Sequence, residues 1–192
     1  PVRIGQRIIV RPTWEPFECE PGDVEVVLDP GQAFGTGDHP TTRMCLELIE
    51  AHSPISGIEV ADIGCGSGIL SIAALKLGAN SVVAVDTDRL SIEATLANAA
   101  RNGVQVHAHE GKGFDTLPPE AQYDLVVSNI ISAALIGLSP DASHRVRPGG
   151  VWLVSGIIEA NWPDVRAKAE SVGFSLKEFK QEGEWVAATF SR

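Results

Sequence analysis

Residues 60–69 read Val-Ala-Asp-Ile-Gly-Cys-Gly-Ser-Gly-Ile, a pattern that predicts a buried strand, a glycine turn and the start of a helix. Glycine at alternate positions of such a turn lets the backbone approach a ligand bound at the helix N-terminus. We therefore expect Gly64 and Gly66 to border a ligand site, in a fold built from strand–helix units.

The spacing of these glycines separates two classes of ligand. Dinucleotide sites use the pattern GxGxxG, whose third glycine lets the helix close on the strand. Here the glycines follow GxGxG, and Ile69 stands where the third dinucleotide glycine would be. The pattern therefore favours a ligand with an adenosine and a small carboxylate over one with a pyrophosphate. A nicotinamide-dependent oxidoreductase is kept as a less favoured alternative.

Asp86 ends the next predicted strand, 22 residues after Gly64. A carboxylate at this position can accept two hydrogen bonds from a ribose diol. The alternative is a solvated aspartate that caps the following helix, but Asp88 fits that role better because it directly precedes Arg89. We therefore assign Asp86 to cofactor binding.

Asn129 stands where the predicted strand 123–128 leaves the core. Ligands of open α/β sheets bind beyond the carboxyl ends of the strands, so Asn129 is a candidate site residue. A turn-forming asparagine is the alternative, but the apolar pair Ile130 and Ile131 makes a poor turn. Amino-methylases of adenine carry Asn-Pro-Pro and an aromatic residue here, and this chain has neither after Asn129, which excludes that chemistry.

Short β-branched runs alternate with helical patterns from residue 58 onward, as expected for a parallel sheet with helices on both faces. The predicted strands are 58–63, 81–86, 104–109, 123–128 and 151–155, and the predicted helices are 69–77, 90–101 and 160–172. The closing runs 174–180 and 184–190 are separated by only three residues, too few for a parallel crossover. They therefore predict an antiparallel hairpin, which makes the α/β sheet mostly parallel with one reversed strand.

The start of the chain has a different character. Residues 1–23 carry four prolines and one apolar stretch, which predicts a lead-in segment with at most one short strand. The main domain is predicted over residues 24–192 and begins with a strand, 24–28. The glycine-rich loop 33–40 then opens a helix that Asp38 or His39 would cap, with Pro40 in the first turn.

Composition excludes several classes of protein. Fifteen Lys and Arg against 25 Asp and Glu give a net charge of −10, and 44% of the 192 residues are hydrophobic. Whole-chain disorder and tight non-specific nucleic-acid binding are therefore disfavoured. No apolar run reaches the roughly 18 residues of a membrane span, and we expect no secretory signal. Three cysteines without CxxC spacing indicate free thiols and a cytoplasmic location. The chain opens at Pro1, so we expect a processed or truncated product.

Several motifs resemble those of one family, the PrmA methyltransferases, which modify a large-subunit ribosomal protein. The most specific is the loop 28–42, Leu-Asp-Pro-Gly-Gln-Ala-Phe-Gly-Thr-Gly-Asp-His-Pro-Thr-Thr. Further matches are 4–7, 62–68, 128–130, 148–150, 155–157 and 183–186. The resemblance covers essentially the whole chain, with small departures at Gln32 and Asp38.

The resemblance implies a Rossmann-like class I methyltransferase with a seven-stranded sheet and S-adenosylmethionine as cofactor. By position, the family's cofactor contacts fall on Thr42, Gly64, Asp86 and Asn129, and Asn129 is also the implied catalytic residue. The implied reaction transfers methyl groups to lysine ε-amines or an N-terminal α-amine of a basic ribosomal protein. The family's N-terminal recognition domain is expected to be absent here, so a cofactor-binding domain with little activity is a second alternative.

Other residues near the motifs are interpreted without a direct role in the reaction. Phe34 and the stretch 35–37 are predicted to form a mobile cover over the cofactor. His39 is interpreted as a helix cap, and no residue is identified as a general base. No metal site and no direct nucleic-acid or membrane partner is predicted, and the oligomeric state is left open.

Overall fold

The computed structural model describes residues 1–29, 37–52 and 54–192. The strands are β1 (Val2–Ile4), β2 (Ile8–Arg11), β3 (Val24–Val27), β4 (Glu59–Ile63), β5 (Ser81–Asp86), β6 (His107–Glu110), β7 (Tyr123–Asn129), β8 (Val146–Ile158), β9 (Ser175–Glu182) and β10 (Trp185–Ser191). The helices are α1 (Pro40–Ala51), α2 (Ile69–Leu77), α3 (Arg89–Arg101), α4 (Ser132–Arg145) and α5 (Trp162–Ser171), with a 3₁₀ turn at Glu159–Asn161.

The described residues build a seven-stranded main sheet in the order β6-β5-β4-β7-β8-β10-β9. Strands from β6 to β8 pair in parallel, whereas β10 pairs antiparallel with both β8 and β9. The predicted mostly parallel sheet with one reversed strand is therefore confirmed. The chain runs outward from β4 on one side and outward from β7 on the other, so the topological switch point lies between these two strands.

The closing hairpin follows from its loop length. Only Gly183 and Glu184 separate β9 from β10, and Trp185 pairs with Glu182 across the turn. Gly183 adopts φ +60°, a backbone conformation that two-residue hairpin turns require. The predicted antiparallel pair is confirmed.

The first 27 residues hold more structure than predicted. The prediction of at most one short strand before residue 24 is wrong, because β1 and β2 pair antiparallel there. β2 also pairs in parallel with β3, so a three-stranded sheet spans the domain boundary proposed between residues 23 and 24. Asn102, at the end of α3, anchors this small sheet: its side chain accepts from the Val27 N–H and donates to the Val27 carbonyl, both at 2.8 Å.

Helix α4 is the helix that sequence reasoning missed. Gly137 and the internal Pro140 lower its intrinsic helix propensity, which hid the pattern. Its apolar side, formed by Leu135, Leu138 and Ala142, is buried, so tertiary packing stabilises the helix. Strand β8 is also longer than predicted, because it already begins at Val146, which pairs with Tyr123 of β7, and the register shifts before pairing resumes at Val151.

The core lies on both faces of the main sheet, because successive strand residues point to opposite sides. One cluster of buried side chains includes those of α1, α2 and the small sheet, and a second includes those of α4, α5 and the hairpin aromatics. Val60 belongs to the first cluster and its neighbour Ala61 to the second. Within the described ranges, no helix combines the length and apolar character needed to cross a membrane.

Candidate active site

A cavity of about 980 Å³ opens where the carboxyl ends of β4, β5 and β7 meet. This is the edge at which parallel sheets bind ligands, beside the switch point. Four residues predicted from sequence line this one cavity: Gly64, Gly66, Asp86 and Asn129. The fold therefore brings together side chains and turns that are up to 65 positions apart in the chain.

The glycine turn between β4 and α2 needs its glycines for space as well as conformation. Gly64 has φ +89°, and a Cβ built on it would lie 2.3 Å from Ile130 Cγ2. The N–H groups of Gly64 and Cys65 donate to the Val85 carbonyl, at 2.7 and 3.1 Å. The turn is thereby held against the end of β5, close to the residue that follows β7.

Helix α3 holds the far side of the same turn. Thr95 Oγ1 donates to the Gly66 carbonyl at 3.0 Å, and Asn98 Nδ2 donates to the Ser67 carbonyl at 2.8 Å. A Cβ on Gly68 would meet Thr95 side-chain and backbone atoms at 3.0–3.1 Å, so the helix approaches the turn as closely as glycine allows. These contacts fix the turn before any ligand binds.

Asp86 ends β5 with both carboxylate oxygens engaged by backbone donors. One oxygen accepts from the Gly66 N–H at 3.0 Å, and the other accepts from the Asp88 N–H at 2.9 Å. Each carboxylate oxygen can accept a second hydrogen bond, so the group can still hold a diol. Asp88 caps α3 by accepting from the Leu90 N–H, which confirms the separation of roles between the two aspartates.

Asn129 is the last residue of β7 and is half-buried at the cavity wall. It pairs with Ser155 of β8, and the next N–H, that of Ile130, donates to the Ser155 carbonyl at 3.1 Å. Gly156 permits this close approach, because a Cβ there would lie 2.4 Å from the Ile130 carbonyl oxygen. The strand end that presents Asn129 is therefore rigidly anchored.

Thr42 is the predicted cofactor residue that the described cavity lining does not include. It lies on the buried side of α1, and its hydroxyl has no hydrogen-bond partner within residues 1–29, 37–52 and 54–192. The predicted cover over the cofactor falls largely on residues 34–36, outside the described residues. His39 is the N-cap of α1 and its ring accepts from the Thr41 N–H, which confirms its interpretation as a cap.

Sequence reasoning missed the wall opposite the glycine turn. That wall combines the loop after β6 with the exposed side of α4, and its members include Lys112, Asp115, Ala134 and Asp141. Ile131, at the head of α4, is 70% exposed at the cavity mouth. The Gly-Lys-Gly run at 111–113, one residue after the predicted strand 104–109, was a signal that could have indicated part of this wall.

Asp62 lies in β4 just before the glycine turn, and it is a further residue that sequence reasoning did not single out. It is 1% exposed, and burial raises its pKa to about 6. Ser71 Oγ donates to one carboxylate oxygen at 2.6 Å, which opposes the shift, and the charge of Asp86 adds to it. Burial also raises the pKa of the Cys45 and Cys65 thiols, so neither is a reactive nucleophile at neutral pH.

His107 and His109 alternate along β6, and both are exposed. Across the described ranges, no group of three or more His, Cys, Asp or Glu side chains has an arrangement that could hold a metal ion. Among the residues predicted from sequence, the cavity offers the backbone of the glycine turn, Asp86 and Asn129.

The order of the strands and the position of the site are those of the S-adenosylmethionine-dependent methyltransferase fold. The T. thermophilus 16S rRNA methyltransferase RsmC, solved with AdoMet and guanosine, superimposes with a TM-score of 0.70 at 21% identity, covering 83% of this chain and 45% of that one. At this identity the likeness concerns the fold alone.

The chain belongs to the PrmA family, because the family model described as "Ribosomal protein L11 methyltransferase (PrmA)" matches residues 1–192. A relative of that name from Desulforamulus reducens is 42% identical over 189 residues, covering 97% of this chain and 60% of the relative. A crystal structure of a ribosomal protein L11 methylase from Lactobacillus delbrueckii subsp. bulgaricus gives a TM-score of 0.91 at 30% identity, covering 100% of this chain and 97% of that one. The chain thus spans about 60% of the length of that curated relative.

Proposed function

We propose that this chain is an S-adenosylmethionine-dependent methyltransferase that modifies amino groups of a large-subunit ribosomal protein. The observation that carries the proposal is the convergence of Gly64, Gly66, Asp86 and Asn129 on one cavity at the carboxyl edge of the sheet. Membership of the PrmA family supports the choice of substrate, since the relatives' names state that protein.

The residues present fit the cofactor. Gly64 and Gly66 line the cavity without side chains of their own, so the turn backbone is accessible to a ligand's close approach. The Asp86 carboxylate keeps acceptor capacity for two ribose hydroxyls beyond its two backbone donors. When bound, S-adenosylmethionine would supply an electrophilic methyl group, and the chain's own residues would bind and orient both reactants.

Asn129 is proposed to orient the target amine. Its side-chain oxygen can accept a hydrogen bond from an N–H of the amine, which would aim the nitrogen lone pair at the reacting carbon. A lysine reacts only as the neutral amine, and desolvation in the cavity would lower its pKa toward that form. The cavity wall already holds Asn129 on an anchored strand end, so little reorganisation is needed.

The alternative of a nicotinamide-dependent oxidoreductase is weakened by packing. Ile69, at the position of the third dinucleotide glycine, is 2% exposed and belongs to the core between α2 and the sheet. A large buried side chain there keeps the helix farther from the strand than the dinucleotide turn allows. A cofactor-binding domain with little activity is the other alternative, and turnover distinguishes it.

Calorimetric titration of the 192-residue chain with S-adenosylmethionine and with NAD tests the cofactor directly. We expect saturable binding of the first and none of the second. A methyl-transfer assay on the purified ribosomal protein, read by mass spectrometry, then tests the substrate. Binding without methyl transfer would favour the cofactor-binding domain, and saturable NAD binding would favour the oxidoreductase.

Asn129→Ala, compared with Asn80→Ala as control, tests the proposed role of Asn129. Asn80 lies at the opposite end of the sheet, where its amide donates to Glu59 on the surface. We expect Asn129→Ala to lower the rate of methyl transfer at least tenfold, whereas Asn80→Ala keeps the parent rate. Equal rates for Asn129→Ala and the parent chain would remove Asn129 from the reaction.

The charge of the chain suits the proposed partner. A net charge of −10 attracts a basic ribosomal protein, and such attraction weakens as salt rises. The three cysteines are free thiols, as in proteins of a reducing compartment, so we place the reaction in the cytoplasm.

A further inference from the structure

The Asp62 carboxylate is the most deeply buried acid near the cavity, and it is only half satisfied. One oxygen accepts from Ser71 Oγ at 2.6 Å, while the other has no hydrogen-bond partner among the described residues. Ser71 belongs to α2 and Asp62 to β4, so their hydrogen bond joins the two elements that flank the glycine turn. A buried acceptor without a donor costs free energy, which calls for an explanation.

The groups that face Asp62 do not neutralise it. Asp86 approaches from β5 and raises the pKa of Asp62, while Cys45 on α1 and Cys65 in the turn have their own pKa raised by its charge. The residues paired with it in the sheet, Ala84 and Val127, are apolar. Within the described ranges, no ion pair includes Asp62. Its negative charge thus lies in a low-dielectric position beneath the wall of the cavity.

We propose that Asp62 is a positioning residue whose buried charge makes the cavity prefer S-adenosylmethionine over its demethylated product, S-adenosylhomocysteine. This inference rests on the proposed function. Asp62 does not line the cavity, but the turn that it braces does, so it acts through space and through Gly64–Gly68. The sulfonium carries a positive charge that the product lacks, and a buried anion stabilises that charge strongly in a medium of low dielectric. Preference for the charged ligand would help to expel the product after each turnover.

The same arrangement predicts proton release on binding. In the ligand-free chain Asp62 is partly protonated near pH 6, because burial raises its pKa to about 6. A cationic ligand stabilises the carboxylate and lowers that pKa, so binding near pH 6 should expel up to about half a proton per site. As the pH falls below 6, the affinity for S-adenosylmethionine should fall with it, while that for S-adenosylhomocysteine should change less.

The first test compares the affinities of the two ligands for Asp62→Asn and for the parent chain at pH 7.5. Asparagine keeps the volume and can still accept from Ser71, so the charge is the main loss. We expect S-adenosylmethionine binding to weaken about tenfold, and S-adenosylhomocysteine binding to change less than threefold. Asp124→Asn is the matched control: Asp124 pairs with Arg147 at the other end of β7 and should alter neither affinity. An equal loss for both ligands would overturn the inference.

The second test measures proton release by calorimetry at pH 6 in two buffers of different ionisation enthalpy. The parent chain should release protons on binding S-adenosylmethionine, and Asp62→Asn should not. Should Asp62→Asn fail to fold, Ser71→Ala serves instead. It removes the hydrogen bond that stabilises the carboxylate and should move the pH midpoint of proton release upward by roughly 0.5–1 pH unit.

The two proposals fail in different ways. The role of Asp62 would be ruled out if the parent chain bound S-adenosylmethionine without releasing protons near pH 6. It would also be ruled out if the pH midpoint of proton release were the same in Ser71→Ala as in the parent chain. Either result would leave the proposed function standing. A parent chain that does not bind S-adenosylmethionine at all would remove both.

Discussion

Asp86 performs two tasks at once at the end of β5. Its carboxylate holds the glycine turn through the Gly66 N–H and the start of α3 through the Asp88 N–H, and it keeps acceptor capacity for a ligand. A residue that orders the turn and also binds the ligand contributes to affinity in both ways. Its removal should therefore cost more than the two ligand hydrogen bonds alone.

We expect Asp86→Ala to weaken S-adenosylmethionine binding by about two orders of magnitude or more. Each hydrogen bond to a charged acceptor contributes roughly 1.5–3 kcal/mol, and two are lost with the ribose. Calorimetry gives the affinity, and Asp164→Ala, an exposed aspartate in the first turn of α5, is the control. An affinity within threefold of the parent value would rule out a ribose contact for Asp86.

Substitution of Gly64 tests whether steric space, rather than backbone conformation, is the reason that the turn requires glycine at this position. Alanine at this position would suffer the strain of φ +89° and would also place its Cβ 2.3 Å from Ile130 Cγ2. Gly103 shares a positive φ, +67°, but a Cβ added there would meet none of the described residues within 4 Å beyond its own chain neighbours. The pair therefore separates backbone strain from steric conflict.

We expect both Gly64→Ala and Gly103→Ala to lose about 1 kcal/mol of stability from backbone strain. Only Gly64→Ala should also lose ligand affinity, by at least tenfold, because Ile130 must move at the cavity wall. Urea denaturation and calorimetric titration provide the two measurements. Similar affinities in the two variants would show that the turn adapts to a methyl group and that Gly64 is not required for close approach.

At the level of elements, local rules predicted some features and packing decided others. The closing hairpin follows from a loop too short for a crossover, and helix α2 from the glycine that precedes it. Helix α4 escaped prediction because Pro140 and Gly137 argue against a helix locally, while its buried side joins the second core cluster only after folding. The extent of β8 depends likewise on its neighbours β7 and β10.

Asn102 is one of the polar contacts that attach the small sheet to the main domain, beside the shared apolar core and the Glu50 carboxylate, which accepts from the Gln6 and Arg7 N–H groups. The Asn102 side chain satisfies both backbone groups of Val27 and also donates to the Asn98 carbonyl. Alanine at this position would leave the buried Val27 N–H and carbonyl without partners. We expect Asn102→Ala to lower the free energy of unfolding by about 2–4 kcal/mol, measured by urea denaturation.

Asn80→Ala is the control for this prediction, because the Asn80 side chain donates to the Glu59 carboxylate in an exposed hydrogen bond. Its cost should stay below about 1 kcal/mol. Hydrogen exchange adds a local measurement: the amides of β3 should lose protection in Asn102→Ala before those of β4. Equal losses of stability in the two variants would show that Asn102 does not anchor the small sheet.

For the whole molecule, sequence reasoning located one half of the candidate site and missed the other. Gly64, Gly66, Asp86 and Asn129 could be predicted because each ends a strand or lies in the turn that follows one, and parallel strands present those ends at one edge. The wall formed by α4 and the loop after β6 could not, because it requires an unpredicted helix to pack beside a distant loop. The buried charge of Asp62 likewise depends on complete burial, which a sequence does not show.

Stability across pH is a property of the whole chain to which single groups contribute with opposite signs. Burial raises the pKa of Asp62 to about 6, above the value near 3.9 of an unfolded aspartate, so the folded state binds more protons between these values. Its contribution therefore makes unfolding easier as the pH rises from about 4 to 6. Burial lowers the pKa of His52, so its contribution stabilises the fold as the pH rises.

Comparison with Asp62→Asn isolates the first contribution, because His52 is present in both proteins. At pH 7.5 the parent chain carries the full cost of a buried charge, and we expect Asp62→Asn to be more stable by about 2 kcal/mol. At pH 4.5 Asp62 is protonated in the folded state but still mostly ionised in the unfolded state, so the difference should shrink to roughly a third of its value at pH 7.5. Urea denaturation of the ligand-free proteins at both pH values measures it, with Asp124→Asn as control. A difference in stability that does not depend on pH would mean that Asp62 is not charged at pH 7.5. If Asp62→Asn is more stable and binds S-adenosylmethionine more weakly, Asp62 shows the exchange of stability for activity that is expected of a functional residue.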